Sequence, residues 1–355
     1  NGHATIAALK DKLISLGYPA NITPEQGTVP SSISAVDNKF KMPQVWKTSL
    51  AIDYQLPVSF PFTITAEGIF NKAVNDVTIS DWSMTDTRGY ARWNGADNRP
   101  IYPEVFRIPG NKQAFVLENT HKGYGWSANV SVNMRPWDFL SFMASYTHSV
   151  KKELTSMPGS NAESAFTYVP TISGPNNINL HAYNITPDRF IASITGHDKS
   201  NNHYSLIYET WRGGYNYSYM LQNDMNGDGY AYDALYIPTD KQVQNGEFRF
   251  ASEDDKTRFM DYVHGDSYLK NHQGEYAEAY SVYSPWVHRV DVSYKHDFKI
   301  KAGKSMNTLQ LGFDIKNLMN LFNSSWGVSK YMNSKLNEGR ILKYEHTDAD
   351  GYAVF

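Results

Sequence analysis

Along residues 45–56 hydrophobic and polar side chains alternate with a period of two. Trp46, Thr48, Leu50, Ile52, Tyr54 and Leu56 share one parity, and Lys47, Ser49, Asp53 and Gln55 the other. Successive side chains of extended backbone point to opposite faces, so this pattern predicts a strand. After the turn at 57–61 the pattern returns, with Phe62, Ile64, Ala66, Gly68 and Phe70 on one face and Thr63, Thr65, Glu67 and Asn71 on the other. The pair reads as a hairpin. A second hairpin sets Tyr124, Trp126, Ala128, Val130, Val132 and Met134 against Leu140, Phe142, Ala144 and Tyr146 across Arg135–Asp138. The third sets Phe190, Ala192 and Ile194 against Tyr204, Leu206, Tyr208 and Thr210 across Gly196–Asn202. The fourth sets Val290, Val292 and Tyr294 against Leu309, Leu311, Phe313 and Ile315 across Lys299–Asn307. Eight strands in four hairpins are expected.

Alternation alone fits both a soluble β-sandwich and a transmembrane β-barrel. Loop lengths favour the barrel, since turns within hairpins are short while the hairpins are joined by excursions over 71–120, 148–187 and 212–286, with irregular segments at 1–42 and 317–355. Charge points the same way. Charged residues make up 19% of the chain, yet none falls on the apolar parity, where only a lipid face penalises them strongly. The opposite parity carries Lys47, Asp53, Glu67, Arg135, Arg189, Glu209, Arg289, Asp291, Lys295, Asp314 and Lys316. Aromatics reach 14%, with 25 Tyr. Trp46, Tyr54, Tyr124, Trp126, Tyr146, Tyr204, Tyr208 and Tyr294 fall near strand ends, where amphipathic rings sit at headgroup level; ordinary sandwich aromatics are the plainer reading of them.

The remaining composition works mainly by exclusion. The 355 residues contain no cysteine, so disulfides, thiolate nucleophiles and cysteine-ligated metal are absent. A net charge of −3 lacks the basic excess of a nucleic-acid partner. No window has the roughly 18 apolar residues of a membrane helix. Thr5–Leu16 reads as a short amphipathic helix, and a second is expected after an N-cap at Ser252, where Glu253, Asp254 and Asp255 suit the helix dipole. Both are expected to decorate loops.

Four stretches, in order, resemble the Oar-like branch of TonB-dependent outer-membrane receptors. They are Phe40–Pro57 with Glu67-Gly-Ile-Phe-Asn-Lys72; Asn223-Asp-Met-Asn-Gly-Asp-Gly229 with Asp233–Pro238; Pro285-Trp-Val-His-Arg-Val-Asp291; and Leu309–Leu318 with Asn323-Ser-Ser-Trp-Gly327. The resemblance implies a Gram-negative outer-membrane location, a barrel of twenty-two strands and an N-terminal plug that docks TonB through a short box. Neither plug nor box is found here, so residues 1–355 are expected to be the C-terminal barrel segment of a receptor, with outer-membrane lipid as partner and room for a surface lipoprotein. The fold class expected is therefore all-β, a transmembrane antiparallel barrel with long extracellular loops carrying short helices. The alternative is that the eight strands close on themselves as a small barrel, since strand number is even.

Candidate chemistry lies in the loops. Asp224-x-Asn226-x-Asp228-Gly229 has the oxygen spacing that opens a calcium loop, with Tyr230 able to lend a carbonyl and Asp233 standing in for the missing glutamate at the twelfth position, which is Leu235. An Asx-rich turn without metal is the competing reading. Trp211, Tyr215, Tyr217 and Tyr219, with Trp82, Arg92 and Trp93, offer stacking faces and donors to a ligand from outside, unless the tyrosines are simply one face of a strand. The pairs His197/His203 and His264/His272 read as surface histidines. No hydrolase, zincin or phosphate-loop motif is present, so no enzyme is expected. Uptake of a large nutrient, as peptide, protein or glycan, is the expected function. A non-transporting adhesin or assembly component is the alternative, and a secreted glycan-binding sandwich a third reading.

Overall fold

The computed structural model describes residues 5–21, 30–107, 112–154, 159–182, 185–212, 216–330, 332 and 339–355. Its main body is one sheet of ten strands: β1 (Ser32–Val36), β2 (Gln44–Gln55), β3 (Phe62–Asp81), β4 (Gln113–Thr120), β5 (Tyr124–Trp137), β6 (Leu140–Lys152), β7 (Asp188–His197), β8 (Asn202–Arg212), β9 (Val287–Ala302) and β10 (Ser305–Ile315). Eight of these, in the order β2-β3-β5-β6-β7-β8-β9-β10, pair antiparallel with their chain neighbours. They are the four expected hairpins. β2 and β10 form the two ends of this set and are not paired with each other, so the sheet is open.

Two strands run further than alternation suggested. β3 continues past Asn71 to Asp81, and β4 lies in the expected excursion, antiparallel to the upper half of β3 in the same register that β5 keeps with its lower half. The excursion after β3 is thus shortened to residues 82–112. β1 adds to β4 in parallel, placing part of the N-terminal segment in the sheet. In the fourth hairpin, 299–302 and 305–307 are paired strand, and the turn is Gly303-Lys304, with Gly303 at φ 64°.

Register makes the two faces of the sheet uniform. Ile52, Ala66, Val130, Tyr146 and Phe190 are successive cross-strand partners, as are Ile194, Leu206, Val292 and Ile315. One face is therefore apolar from β2 to β10, with aliphatic and small residues in the middle and rings toward both margins. Trp46 meets Phe70 edge-on at 6.2 Å at one margin, and Tyr204, Tyr294 and Phe313 lie within 5.6 Å of one another in sequence at the other. Midway along β3 and β5, exposure is inverted relative to a soluble sheet. Ala66, Gly68, Phe70, Ala128 and Val130 are exposed, whereas Thr63, Thr65, Glu67, Ser127, Asn129 and Ser131 between them are half-buried. Leu50 is 71% exposed and Val130 50%.

The reverse face is polar and internally bonded. Thr65 donates to Asp53 at 2.5 Å, the Asn129 amide donates to Ser145 and Thr147, and Glu209 accepts from both Arg189 and Arg289 at 2.6 Å.

Beyond the loop ends of the strands, the excursions pack into a cap with its own core. Trp93, Tyr219, Leu221, Leu235, Ile237, Phe248, Leu269 and Phe355 join one buried cluster, and Phe259, Met260 and Val263 enter it from the helix Glu253–Gly265. Ser252 caps that helix as expected, accepting from Asp255 N at 3.1 Å. Its role differs from expectation: it helps build a core, because Phe259, Met260 and Val263 line one face at helical spacing. The N-terminal helix (Ile6–Ser15) is capped by Thr5, and its Leu9, Leu13 and Ile14 are exposed. Among the described residues no helix is long and apolar enough to cross a membrane.

Candidate functional site

The cap's polar centre forms where the 223–234 loop meets residues 97–107. Asp224 accepts from Gly227 N and Gly229 N, both at 2.8 Å. Both glycines have positive φ, at 79° and 92°, a conformation that a side chain disfavours. Asn226 and Asp228 close tighter turns, each accepting a backbone N–H two residues on, from Asp228 at 2.9 Å and Tyr230 at 2.8 Å. Asp233 accepts from Met225 N with one oxygen and pairs with Arg99 at 3.0 Å through the other. Tyr230 directs its hydroxyl away from the loop, accepting from Arg107 and Gln113. The five residues singled out for calcium therefore fold into one turn. Asp233 pairs with a guanidinium, and the carboxylates of Asp224 and Asp228 accept from backbone N–H groups. Among the described residues no group of three or more His, Asp or Glu is arranged to hold a metal ion.

Arg99 is the charge around which this centre is organised. Fully buried, it donates to both oxygens of Asp97 at 2.8 and 2.9 Å, to Asp233, and to the Ala234 carbonyl at 2.7 Å. Burial opposes its charge, but Asp97 and Asp233 outweigh that and raise its affinity for the proton. The aspartates of the loop carry the opposite strain. Burial, then the charges of Asp233 and Asp224, push the Asp228 carboxyl up to about 8, and burial raises Asp233 to about 6 against the pull of Arg99. Asp224 is raised by burial too. A second buried pair, Arg107 with Asp81 at 3.1 Å, ties the end of β3 to the cap, while Asp81 also accepts from Ser83 N and Ala114 N. Neither arginine stands out in the sequence; each is one cation in an irregular stretch, and its partner lies far along the chain or in an unrelated turn.

The aromatic residues expected to meet a ligand are divided. Trp93 and Tyr219 are each 2% exposed and belong to the cap core, Trp93 donating to Thr347 and Tyr219 to Asp266. Neither presents an open face. Tyr217 is half-buried beside Ser284, and Trp211 is half-buried on the polar side of the sheet, with the Arg289 guanidinium 5.6 Å from its ring. Trp82 is 60% exposed with its indole N–H donating to Glu118, and the exposed Arg92 donates to the Asn98 carbonyl. Tyr215 lies outside the described residues. Of the histidine pairs, His197 and His203 face each other across β7 and β8, and His203 Nε2 lies 3.0 Å from Asp297. His264 pairs with Asp240 and His272 with the Tyr268 carbonyl.

No protein-family model, curated protein or solved structure matches the chain.

Proposed function

We propose that the chain forms wall and outer cap of a transmembrane β-barrel in a Gram-negative outer membrane, serving TonB-dependent uptake of a large nutrient such as a peptide, protein or glycan. One observation carries the membrane part. Across eight consecutive strands one face is apolar with aromatic margins, and midway along β3 and β5 that face is the exposed one while the polar residues between are half-buried. In water such a face is a liability far beyond the few hundred Å² a monomer normally exposes; against hydrocarbon it is the favoured arrangement. From Trp46 to Tyr54 the band spans roughly 27 Å along the strand at about 3.4 Å per residue, and strands tilted by about 40° bring its height close to that of an outer-membrane barrel's apolar belt. Transport is supported by the resemblance of the four motifs and by a continuous hydrated, charge-lined face.

The test is twofold. In cells, the full-length protein should fractionate with outer membranes and need detergent for extraction. Uptake of labelled peptide or glycan pools by cells bearing it should fall to background when TonB is deleted. Recovery in the soluble fraction would overturn the membrane reading. Ligand binding with no TonB dependence would favour a second reading, an adhesin or assembly component, which draws support from the well-packed cap.

A further inference from the structure

Near the short turns, the polar face carries two adjacent cross-strand rows that neither the membrane reading nor the loop motifs employ. In the first, Ser141, Thr195, Ser205 and Ser293 are successive register partners on β6, β7, β8 and β9. Two residues nearer the turns, His197, His203 and Lys295 are register partners on β7, β8 and β9. Because the rows are two residues apart along every strand, all seven side chains project from one face. Neighbouring positions are about 5 Å apart across an antiparallel ladder, so His197 and Lys295 are about 10 Å apart with His203 between them. They line a cavity of about 330 Å³ to which Arg135 also contributes.

Among the described residues the hydroxyls of Ser141, Thr195, Ser205 and Ser293, the His197 ring and the Lys295 ammonium have no hydrogen-bonding or ionic partner. Asp138, the nearest rim carboxylate, lies 3.7 Å from Arg135 with its side chain fully exposed, and Asp297 engages His203 from the side and accepts from Gln310. A strip of free donors backed by Lys295 and Arg135 is chemistry for an oxyanion; the carboxylate that continues the hydroxyl row, Asp314, is the register partner of Ser293 on β10 and does not line the cavity.

We propose that this groove binds an anionic oxygen group, a phosphate or a carboxylate, with Lys295 and Arg135 supplying fixed charge, the hydroxyl row supplying directional donors, and the His197 ring adding a further donor. Placing the groove at the inner mouth of a pore rests on the membrane reading; the binding itself does not. The charged side chains around it are Arg135 and Lys295, with Asp138, Asp297 and, one strand beyond Ser293, Asp314.

The experiment uses the purified full-length protein in detergent, with the ring signals of His197 and His203 followed by NMR during titration with inorganic phosphate, acetate or chloride at pH 5.5. Expected are saturable shifts of both rings with phosphate or acetate, and a loss of about tenfold or more in affinity on Lys295→Gln, as befits one charge-assisted hydrogen bond. Ser205→Ala, which leaves every charge in place, should weaken binding by a smaller factor. A response to phosphate alone would identify a phosphoryl ligand, and a response to acetate as well a carboxylate; both support the site. Equal response to chloride, or none to any anion at pH 5.5, would overturn it. The readout needs no uptake, so a protein that binds phosphate yet imports nothing would separate failure of the transport reading from failure of this one.

Discussion

At the scale of single residues, the cap depends on two buried guanidinium groups. Removing Arg99 leaves Asp97 and Asp233 buried without their cation, a loss that typically costs about 3–5 kcal/mol. Arg99→Met should therefore make the cap susceptible to protease while the strands stay protected, as read by mass spectrometry of limited digests. Asp228 gives a pH dependence of opposite sign from the usual carboxylate. Its folded-state affinity lies above the ordinary value, pushed up to about 8 by burial and by Asp233 and Asp224. Between the ordinary carboxylate range and that point the folded cap holds a proton that the unfolded chain releases, so stability is present at low pH and falls as pH rises through the window. Protection of the cap should decline from pH 5 to pH 8. Asp228→Asn, which keeps an acceptor for Tyr230 N–H, should flatten that decline. The spacing of Asp224, Asn226, Asp228 and Asp233 was legible as a turn built from oxygen ligands. Arg99 as the partner of Asp233 was not, because the two are 134 residues apart and nothing local couples them.

At the scale of elements, the register that aligns apolar with apolar makes a directional prediction. Arg substituted for Val130, midway along β5 on the exposed apolar face, should cost about 2–4 kcal/mol in a bilayer, whereas the same change at Ser131 on the polar face should cost far less. Urea unfolding in liposomes would measure both. Equal costs would show that both faces meet the same medium. The hairpins were readable because alternation is strict wherever one face meets one environment. It fails after Lys72. In the lower part of β3 the even positions carry the hydrophobic residues, whereas above it Ala73 and Ile79, on odd positions, are the buried ones. There the formerly polar side packs on Phe115, Ala165 and Phe166, so a window sliding across the change sees no single period. The same exchange hid β4, whose Phe115 and Val116 are adjacent and both buried.

For the whole molecule, sheet and cap dispose their apolar residues differently. The cap has a water-excluding core of ordinary kind, and Leu235, fully buried within it, is a direct test. Leu235→Ala should destabilise the cap by about 2–5 kcal/mol, detectable by hydrogen exchange in residues 219–283, with little change in the strands. Little of this core could be anticipated, since it gathers residues from 93, 219–277 and 342–355 without periodicity. Loop aromatics that looked available to a ligand, Trp93 and Tyr219, are spent on it. Paired backbone joins the two regions. The ladder of β3 with β4 and β5 passes from band to cap with only the short break at 121–123, where Ala73 N still donates to Gly123 O at 3.2 Å. Shorter pairings carry other strands the same way, Glu153 with His181 and Asn216–Tyr217 with Val282–Tyr283. Displacing the cap must therefore bend paired backbone at more than one point, which makes it a braced roof rather than a free lid.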